Sequence, residues 1–349
     1  MPEIPAGHPF MLWVVIAFLG FSLLLYCLMG GADFGAGILE IFMGRENRRA
    51  QREIVDRALG PVWEANHMWL ILMVVILFMG FPGVYSRVST NLHLPLTAML
   101  MGIIARGCAF TFRHYDAVKG RSQKPYNLFF AYASLWTPFW LGVVTGALVP
   151  GGMTMEPTGY LDGYVRPWLR PFPLALGLFT ICLFALLAAV YLIGESPAGP
   201  IRKRFARRAV AASAAAVASG GVVFWGAEND GIHLALKFAG SLPAIACMVA
   251  ATVLMPVLWV SLTREWGWGS RILAGGQIAL ILAAWFAVQF PVLVRMREGR
   301  DLTFFNAHAP AATLNQLGWA LIVGAALILP ALFYLLRVFK TESAARDID

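Results

Sequence analysis

Charge is scarce in this sequence. Of its 349 residues only 13% are Asp, Glu, Lys or Arg, against 59% that are hydrophobic, and a mean hydropathy of +0.69 excludes an ordinary soluble globular domain of this length. Cysteine is scarcer still: Cys27, Cys108, Cys182 and Cys247 fall in separate apolar segments, with no CxxC pair and no CxxCH run. That pattern offers no haem-attachment or paired-thiol motif, and the four read as small buried thiols. There is no Walker motif, no GxGxxG opening a helix after a strand, and no Ser/His/Asp arrangement that a membrane topology would allow. Catalysis by this chain alone is therefore not expected. No polar stretch of domain size separates the apolar ones, so residues 1–349 read as a single transmembrane helical domain.

What the chain has instead is long apolar runs, and about 20 such residues span a bilayer as a helix. Nine can be marked, near residues 9–30, 62–83, 92–113, 126–149, 171–193, 207–226, 237–261, 271–294 and 313–338. The expected fold class is an all-α integral membrane protein. The start, MPEIPAGHPF, is acidic rather than basic and shows no cleavage pattern, so the first run is expected to stay as an anchor. Lysine and arginine cluster on alternate connections, near 45–57, 113–124, 202–208, 264–271 and 337–346. Only Arg87, Arg166, Arg170, Lys237, Arg295, Arg297 and Arg300 fall on the other side, with Arg106 inside a run. Because cytoplasmic ends retain positive charge, the N-terminus is expected outside and the C-terminus in the cytoplasm. The net charge of +8 then belongs beside anionic headgroups rather than nucleic acid.

Ionisable groups at membrane depth are costly and have a partner or a task. Three stand out: Asp33 among the glycines of MGGADFGAGILEIF, Arg106 in IIARGCAFTFR, and Glu64 at the start of the second run. All three fall in the cytoplasmic third of different helices. Two readings stay open: Asp33 and Arg106 as an ion pair that fixes helix register, or the carboxylates as part of a water-filled path that passes protons inward. In GPVWEANHMWLI, Trp63, Asn66 and His67 share a helical face at spacings of three and four, and Glu64 can touch His67. Trp63 and Trp69 read equally well as interfacial belt residues. Membrane haems need axial ligands, usually His or Met, from facing helices. Of His8, His67, His93, His114, His233 and His308 only His67 lies inside a run, so no haem and no metal is expected on this chain. The small-residue stretch RRAVAASAAAVASGG suits close helix packing, and Pro138 and Pro243 are candidate kinks.

Four of these stretches resemble subunit II of the cytochrome bd quinol oxidases. GGADFGAGIL is similar to the family's DGFDxGVGxL, and GPVWEANHMWLI, followed by FMGFPGVYS, is similar to GPVWDGNxVWLI. RGCAFTFR resembles RGVAFEFR, and SLWTPFWLGVVTG keeps an SxxxPxxxG frame. The resemblance runs through nearly the whole chain. It implies nine transmembrane helices arranged as two four-helix bundles plus one peripheral helix, in a bacterial cytoplasmic membrane. It also implies a heterodimer with subunit I, which would hold two b-type haems and one d-type haem and reduce dioxygen to water with quinol electrons, and it leaves room for a small single-helix third subunit. Subunit II would carry no haem, stabilise its partner, help form a cytoplasmic proton path and, in some members, hold a quinone or lipid. On this resemblance Glu64, Asp33, Trp63 and His67 belong to the proton path, with Arg106, Asn66 and Trp69 as its structural frame.

The sequence departs from the family pattern at several points. Gly30 replaces the first acid of DGFD, Glu64 is longer than the usual Asp, Thr111 stands for the Glu of AFEFR, Asn306 stands where an acid is common, and His67 occupies a variable position. These changes leave two other readings to weigh: a purely structural subunit of a divergent complex with a different electron donor, and a secondary transporter with a midplane site.

Overall fold

The computed structural model describes residues 9–43, 48–59, 63–115, 123–197, 199–264 and 266–346. Its helices, in chain order, are α1 (Phe10–Leu25), α2 (Gly31–Ile41), α3 (Arg48–Leu59), α4 (Trp63–Gly80), α5 (Pro82–Asn91), α6 (His93–Tyr115), α7 (Gln123–Ala147), α8 (Tyr160–Tyr164), α9 (Pro171–Glu195), α10 (Pro200–Asn229), α11 (Leu234–Ala239), α12 (Leu242–Thr263), α13 (Gly267–Gln289) and α14 (Ala311–Arg346). Strands β1 (Val292–Val294) and β2 (Leu302–Thr303) form an antiparallel ribbon. Among the described residues, eight helical segments are long and apolar enough to cross a membrane. A ninth is reached if α4 and α5, which meet at 116° across Phe81, count as one broken span. The fold is thus an all-α membrane protein, with backbone polarity satisfied inside each helix as a hydrocarbon environment requires.

Several boundaries differ from the apolar runs, among them α10, which begins at Pro200, and α13, which ends at Gln289. The first span does not stop near residue 30: α1 continues through a π-helical turn, Tyr26–Gly30, into α2, so the helical segment runs from Phe10 to Ile41. Hydropathy alone cannot show this, because the glycines and Asp33 of α2 lower the window average although the segment is buried almost throughout. Pro243 lies in the first turn of α12, where its missing N–H costs nothing, whereas Pro138 and Pro256 sit inside helices.

Helix α9 is the central pillar. Residues 184–190 are buried without a break, and α9 packs against α2, α7, α10 and α13. Close approach is made by glycine. A Cβ on Gly35 would lie 1.9 Å from the Phe184 carbonyl oxygen of α9, and one on Gly37 would lie 2.1 Å from Ser134 Oγ of α7. The glycines of GGADFGAGIL are therefore contact points where backbones approach closely, the packing mode available to helices that gain no hydrophobic driving force from each other in lipid. A second cluster joins α1, α4, α5 and α14 to the ribbon.

At the end of the molecule that carries the ribbon, the two long loops lock together. Met153 bridges Met296, and Ala309 N–H donates to the Gly80 carbonyl at 2.8 Å. Asp230 accepts from Arg170 Nε at 3.1 Å and from the Phe172 N–H at 2.9 Å, capping the start of α9. Asp162 accepts from Arg297 at 2.8 Å, Arg166 at 3.3 Å and Thr158 at 3.2 Å. The Arg297 hydrogen bond, chiefly, lowers the Asp162 carboxyl from 3.8 to about 2.

Two outcomes follow. Gly35→Val forces a side chain against backbone and costs at least the about 1–3 kcal/mol typical of overpacking, so the thermal midpoint of the detergent-solubilised protein falls, while Gly324→Ala, with nothing within 4 Å, leaves it unchanged or higher. Because the folded carboxyl of Asp162 is depressed, its contribution is complete above its unfolded value and is lost as pH falls from 3.8 toward about 2. Hydrogen exchange of the backbone amides in 158–166 is expected to be flat in protection between pH 5 and 8, roughly the ordinary working range, and to lose protection only in strong acid.

Candidate functional site: a buried ladder of charge

Asp33 and Glu40 are seven residues apart on α2, two turns along one face. Arg106 and Arg113 are seven apart on α6. The structure pairs them rung by rung, each pair separated by the same 73 residues of sequence, so α2 and α6 run in the same sense. The first rung is closed off from the surface: Asp33 is 0% exposed and Arg106 1%. Arg106 donates from Nη1 to Asp33 Oδ2 at 2.7 Å and from Nη2 to Oδ1 at 2.6 Å, a bidentate fork, and from Nη2 to the Asp33 carbonyl at 3.1 Å. Its Nε donates to Ser134 Oγ at 2.9 Å, and that hydroxyl donates onward to the Phe130 carbonyl. Ser134 is the serine of the SxxxPxxxG frame, and Gly37 leaves it the room it occupies.

The second rung was not legible as a buried one. Glu40 is 2% exposed and accepts from Arg113 Nη1 at 2.9 Å and Arg52 Nε at 3.2 Å, which ties α3 to the ladder. A span ending near residue 30 places Glu40 outside the membrane-depth segment; its spacing of seven from Asp33, matched by that of Arg113 from Arg106, is the signal that identifies it. The Phe130 ring of α7 lies between the two guanidinium groups, 4.9 Å from Arg106 and 4.4 Å from Arg113, and the Phe34 ring lies 4.6 Å from Arg106. Aromatic faces thus take part of the cationic surface that no oxygen covers. Beside the second rung, Gln51 of α3 accepts from Arg208 of α10 at 2.8 Å.

The start of α4 meets this ladder from one side. The backbone of Trp63 and Glu64 is helical, and their side chains lie outside the described residues. One turn on, Asn66 is 2% exposed with its Oδ1 buried and unpartnered, and the His67 ring stands edge-on to Phe34 with centroids 6.1 Å apart. Trp69 is 5% exposed and packs on Phe21, so it is a core residue rather than part of an interfacial belt. The buried face of α4 therefore runs through Asn66, Trp69 and Ile76, and Asp33, Arg106, Phe34 and His67 form one contiguous group.

The departures from the family pattern have local causes. A Cβ on Gly30 would lie 3.1 Å from the Tyr26 ring, so a longer residue there needs Tyr26 to move. Thr111 is exposed and bonds back to the Gly107 carbonyl. Asn306 accepts from the Thr303 N–H and donates to the Asp301 carbonyl, holding the turn after the ribbon.

Among the described residues no group of three or more His, Cys, Asp or Glu is placed to hold a metal. The histidines are dispersed: His93 on the Thr90 carbonyl, His233 on Glu228, His308 on the Ala309 carbonyl.

The family model for cytochrome bd terminal oxidase subunit II matches residues 11–339. This chain belongs to that family. It is similar to cytochrome bd ubiquinol oxidase subunit 2 of Bacillus subtilis, with 23% identity over 96% of both chains. It is also similar to cytochrome bd-I ubiquinol oxidase subunit 2 of Escherichia coli, with 25% identity over 92% of this chain and 91% of that one. Its fold matches the bd oxidase of Geobacillus thermodenitrificans at a TM-score of 0.74, with 21% identity, covering 94% of this chain and 98% of that one. The chain is thus a membrane-spanning subunit of a respiratory terminal oxidase, an oxidoreductase complex in which the bd family places haems and a subunit I. Family membership removes the secondary-transporter reading.

Breaking one partner of a buried ion pair leaves an uncompensated charge and costs about 3–5 kcal/mol, whereas replacing both by apolar residues is far cheaper. Asp33→Leu or Arg106→Met alone is therefore expected to collapse the yield of the assembled bd complex, and the Asp33→Leu/Arg106→Met pair to recover much of it, measured as haem absorbance per milligram of membrane protein.

Proposed function

We propose that this chain is the haem-free subunit II of a bd-type oxidase that reduces dioxygen to water with quinol electrons, the two b-type haems and the d-type haem residing in subunit I. It braces subunit I and supplies a proton path from the cytoplasm, through Glu64, Asp33, Trp63 and His67, framed by Arg106, Asn66 and Trp69. The observation that carries this reading is the contact of His67 with Phe34, which brings the start of α4 against the helix turn that holds the buried Asp33. On α4, Glu64 lies one turn from His67, within reach of a proton handed along the same face. Glu64 and Asp33, the latter held in place by its fork to Arg106, relay protons toward the haems of subunit I. Protons drawn from the cytoplasm while quinol releases its own outside generate a membrane potential.

The charge bias of the connections supports an outside N-terminus and a cytoplasmic C-terminus in a bacterial inner membrane. The helices are read as two four-helix bundles and one peripheral helix, docked to subunit I with space for a small single-helix third subunit. The chain also holds a lipid, a quinone or a phospholipid, as a structural element.

The engagement of both Asp33 oxygens by Arg106 favours a second reading, a bracing subunit with no proton path. The two readings part at Glu64. Glu64→Ala is expected to slow oxygen consumption about tenfold or more, in line with loss of a general acid–base group, while the complex assembles with an unchanged haem spectrum; full turnover in that variant ends the relay and leaves the bracing role.

A further inference from the structure

Tyr26 is fully buried in the π-helical turn, and its hydroxyl has no hydrogen-bond partner. On α4, Asn66 Oδ1 and Trp69 Nε1 are buried and unpartnered as well. Asn66 and Trp69 stand one turn apart on the same helical face, 2% and 5% exposed. Native structures pair such groups. Where the three face one another, they call for a small polar ligand.

Two ring contacts bracket them. Phe21, upstream of Tyr26 on the same continuous segment, meets Trp69 edge-on with centroids 5.9 Å apart, and Phe34, downstream, meets His67 at 6.1 Å. The turn of α4 from Asn66 to Trp69 therefore lies against the stretch that holds Tyr26, and α4 packs on the π-helical turn itself. Tyr26 and Trp69 belong to one buried cluster with Phe34. Gly30 makes the room: a Cβ there would lie 3.1 Å from the Tyr26 ring, so the phenol takes the flank that a side chain at this position would occupy.

The three atoms are the complement of one water. An indole N–H only donates, an amide oxygen only accepts, and a phenol does either. A water that accepts from Tyr26 and Trp69 and donates to Asn66 makes the roughly three hydrogen bonds typical of an internal water. None of the three carries a charge, so an ion among them has no counter-charge. The place is next to the charge ladder: Tyr26 precedes Asp33 on the same segment by about 10 Å of helix, on the side away from Glu40.

We propose that Tyr26, Asn66 and Trp69 hold one internal water that carries protons onward from the Asp33 turn, with Tyr26 as the group that hands them to it. The entering proton bonds to the phenol oxygen, the phenol hydrogen moves to the water, and the water releases the hydrogen that Asn66 does not hold. One proton enters and one leaves; no electron moves, and phenol and water are restored. The proposal rests on the reading that this subunit relays protons, and it adds to that relay a residue that is not an acid.

The test uses the intact oxidase containing this chain and compares Tyr26→Phe, which removes a single oxygen, with the wild type and with Glu64→Ala. Tyr26→Phe is expected to assemble with an unchanged haem spectrum and an unchanged KM for quinol, and to lower the kcat of oxygen consumption about tenfold, the loss of a proton-transferring group. In reduced-minus-oxidised infrared difference spectra, an O–H stretching band of an internal water, marked by its shift in heavy-oxygen water, is expected in the wild type. The band is expected to vanish in Tyr26→Phe and in Asn66→Leu; a band undiminished in both overturns the site. Full turnover in Tyr26→Phe beside slow turnover in Glu64→Ala overturns this step and leaves the relay. Full turnover in both variants overturns the relay and this step together. If the haem spectrum shows that Tyr26→Phe does not assemble, Asn66→Leu and Trp69→Phe replace it, and full turnover in both of these overturns the step.

Discussion

The Asp33–Arg106 fork is the constraint around which the rest is arranged. A guanidinium and a carboxylate at membrane depth are tolerable only when each satisfies the other, and at 2.6 and 2.7 Å they do. That requirement fixes the height of α2 against α6, and the Glu40–Arg113 rung two turns away repeats it. With two rungs, sliding by one residue would break both pairs together. The helix between, α7, contributes what the arginines still lack: a hydroxyl from Ser134 and the Phe130 ring.

The glycine motif serves the same end. Gly35 brings the α2 backbone onto α9, and Gly37 admits Ser134 to the first rung. The acids of α2 are thereby held where α6 can reach them, although α2 packs mainly on α9 and next on α7, and α6 mainly on α7, rather than on one another. The cost of burying charge is offset by geometry that leaves few polar atoms of the pair unanswered. A site of this kind is rigid, which suits a bracing subunit and equally a path whose charges must stay in place.

Much of this was legible in the sequence, for reasons that differ by residue. Apolar runs mark spans because each turn of helix in lipid must be apolar outside, and that reading located nearly all the long helices. Asp33 and Arg106 stood out because an ionisable group in such a run is conspicuous. Glu40 did not, since it lies past the apolar window in a helix that continues by packing on α9 and α3 rather than by hydropathy. Trp69 is ambiguous in sequence, because a tryptophan near a span end suits a belt and a core alike; only the contact with Phe21 decides. The break between α4 and α5 is marked by Gly80 and by Pro82 at the first position of α5, but its angle is a tertiary fact with no local signature.

The π-helical turn at Tyr26–Gly30 acts as a phase shifter. A π turn accommodates one extra residue, and each residue in a helix is worth about 100° of rotation. Upstream of it, α1 presents its buried side to α4 and α14; downstream, the same continuous rod presents its acids toward α6 and α7. One helix therefore serves two neighbourhoods with different azimuths, and the length of the segment between Leu25 and Asp33 is quantised: a chain shortened by a single residue there would swing both carboxylates about a quarter turn away from their arginines.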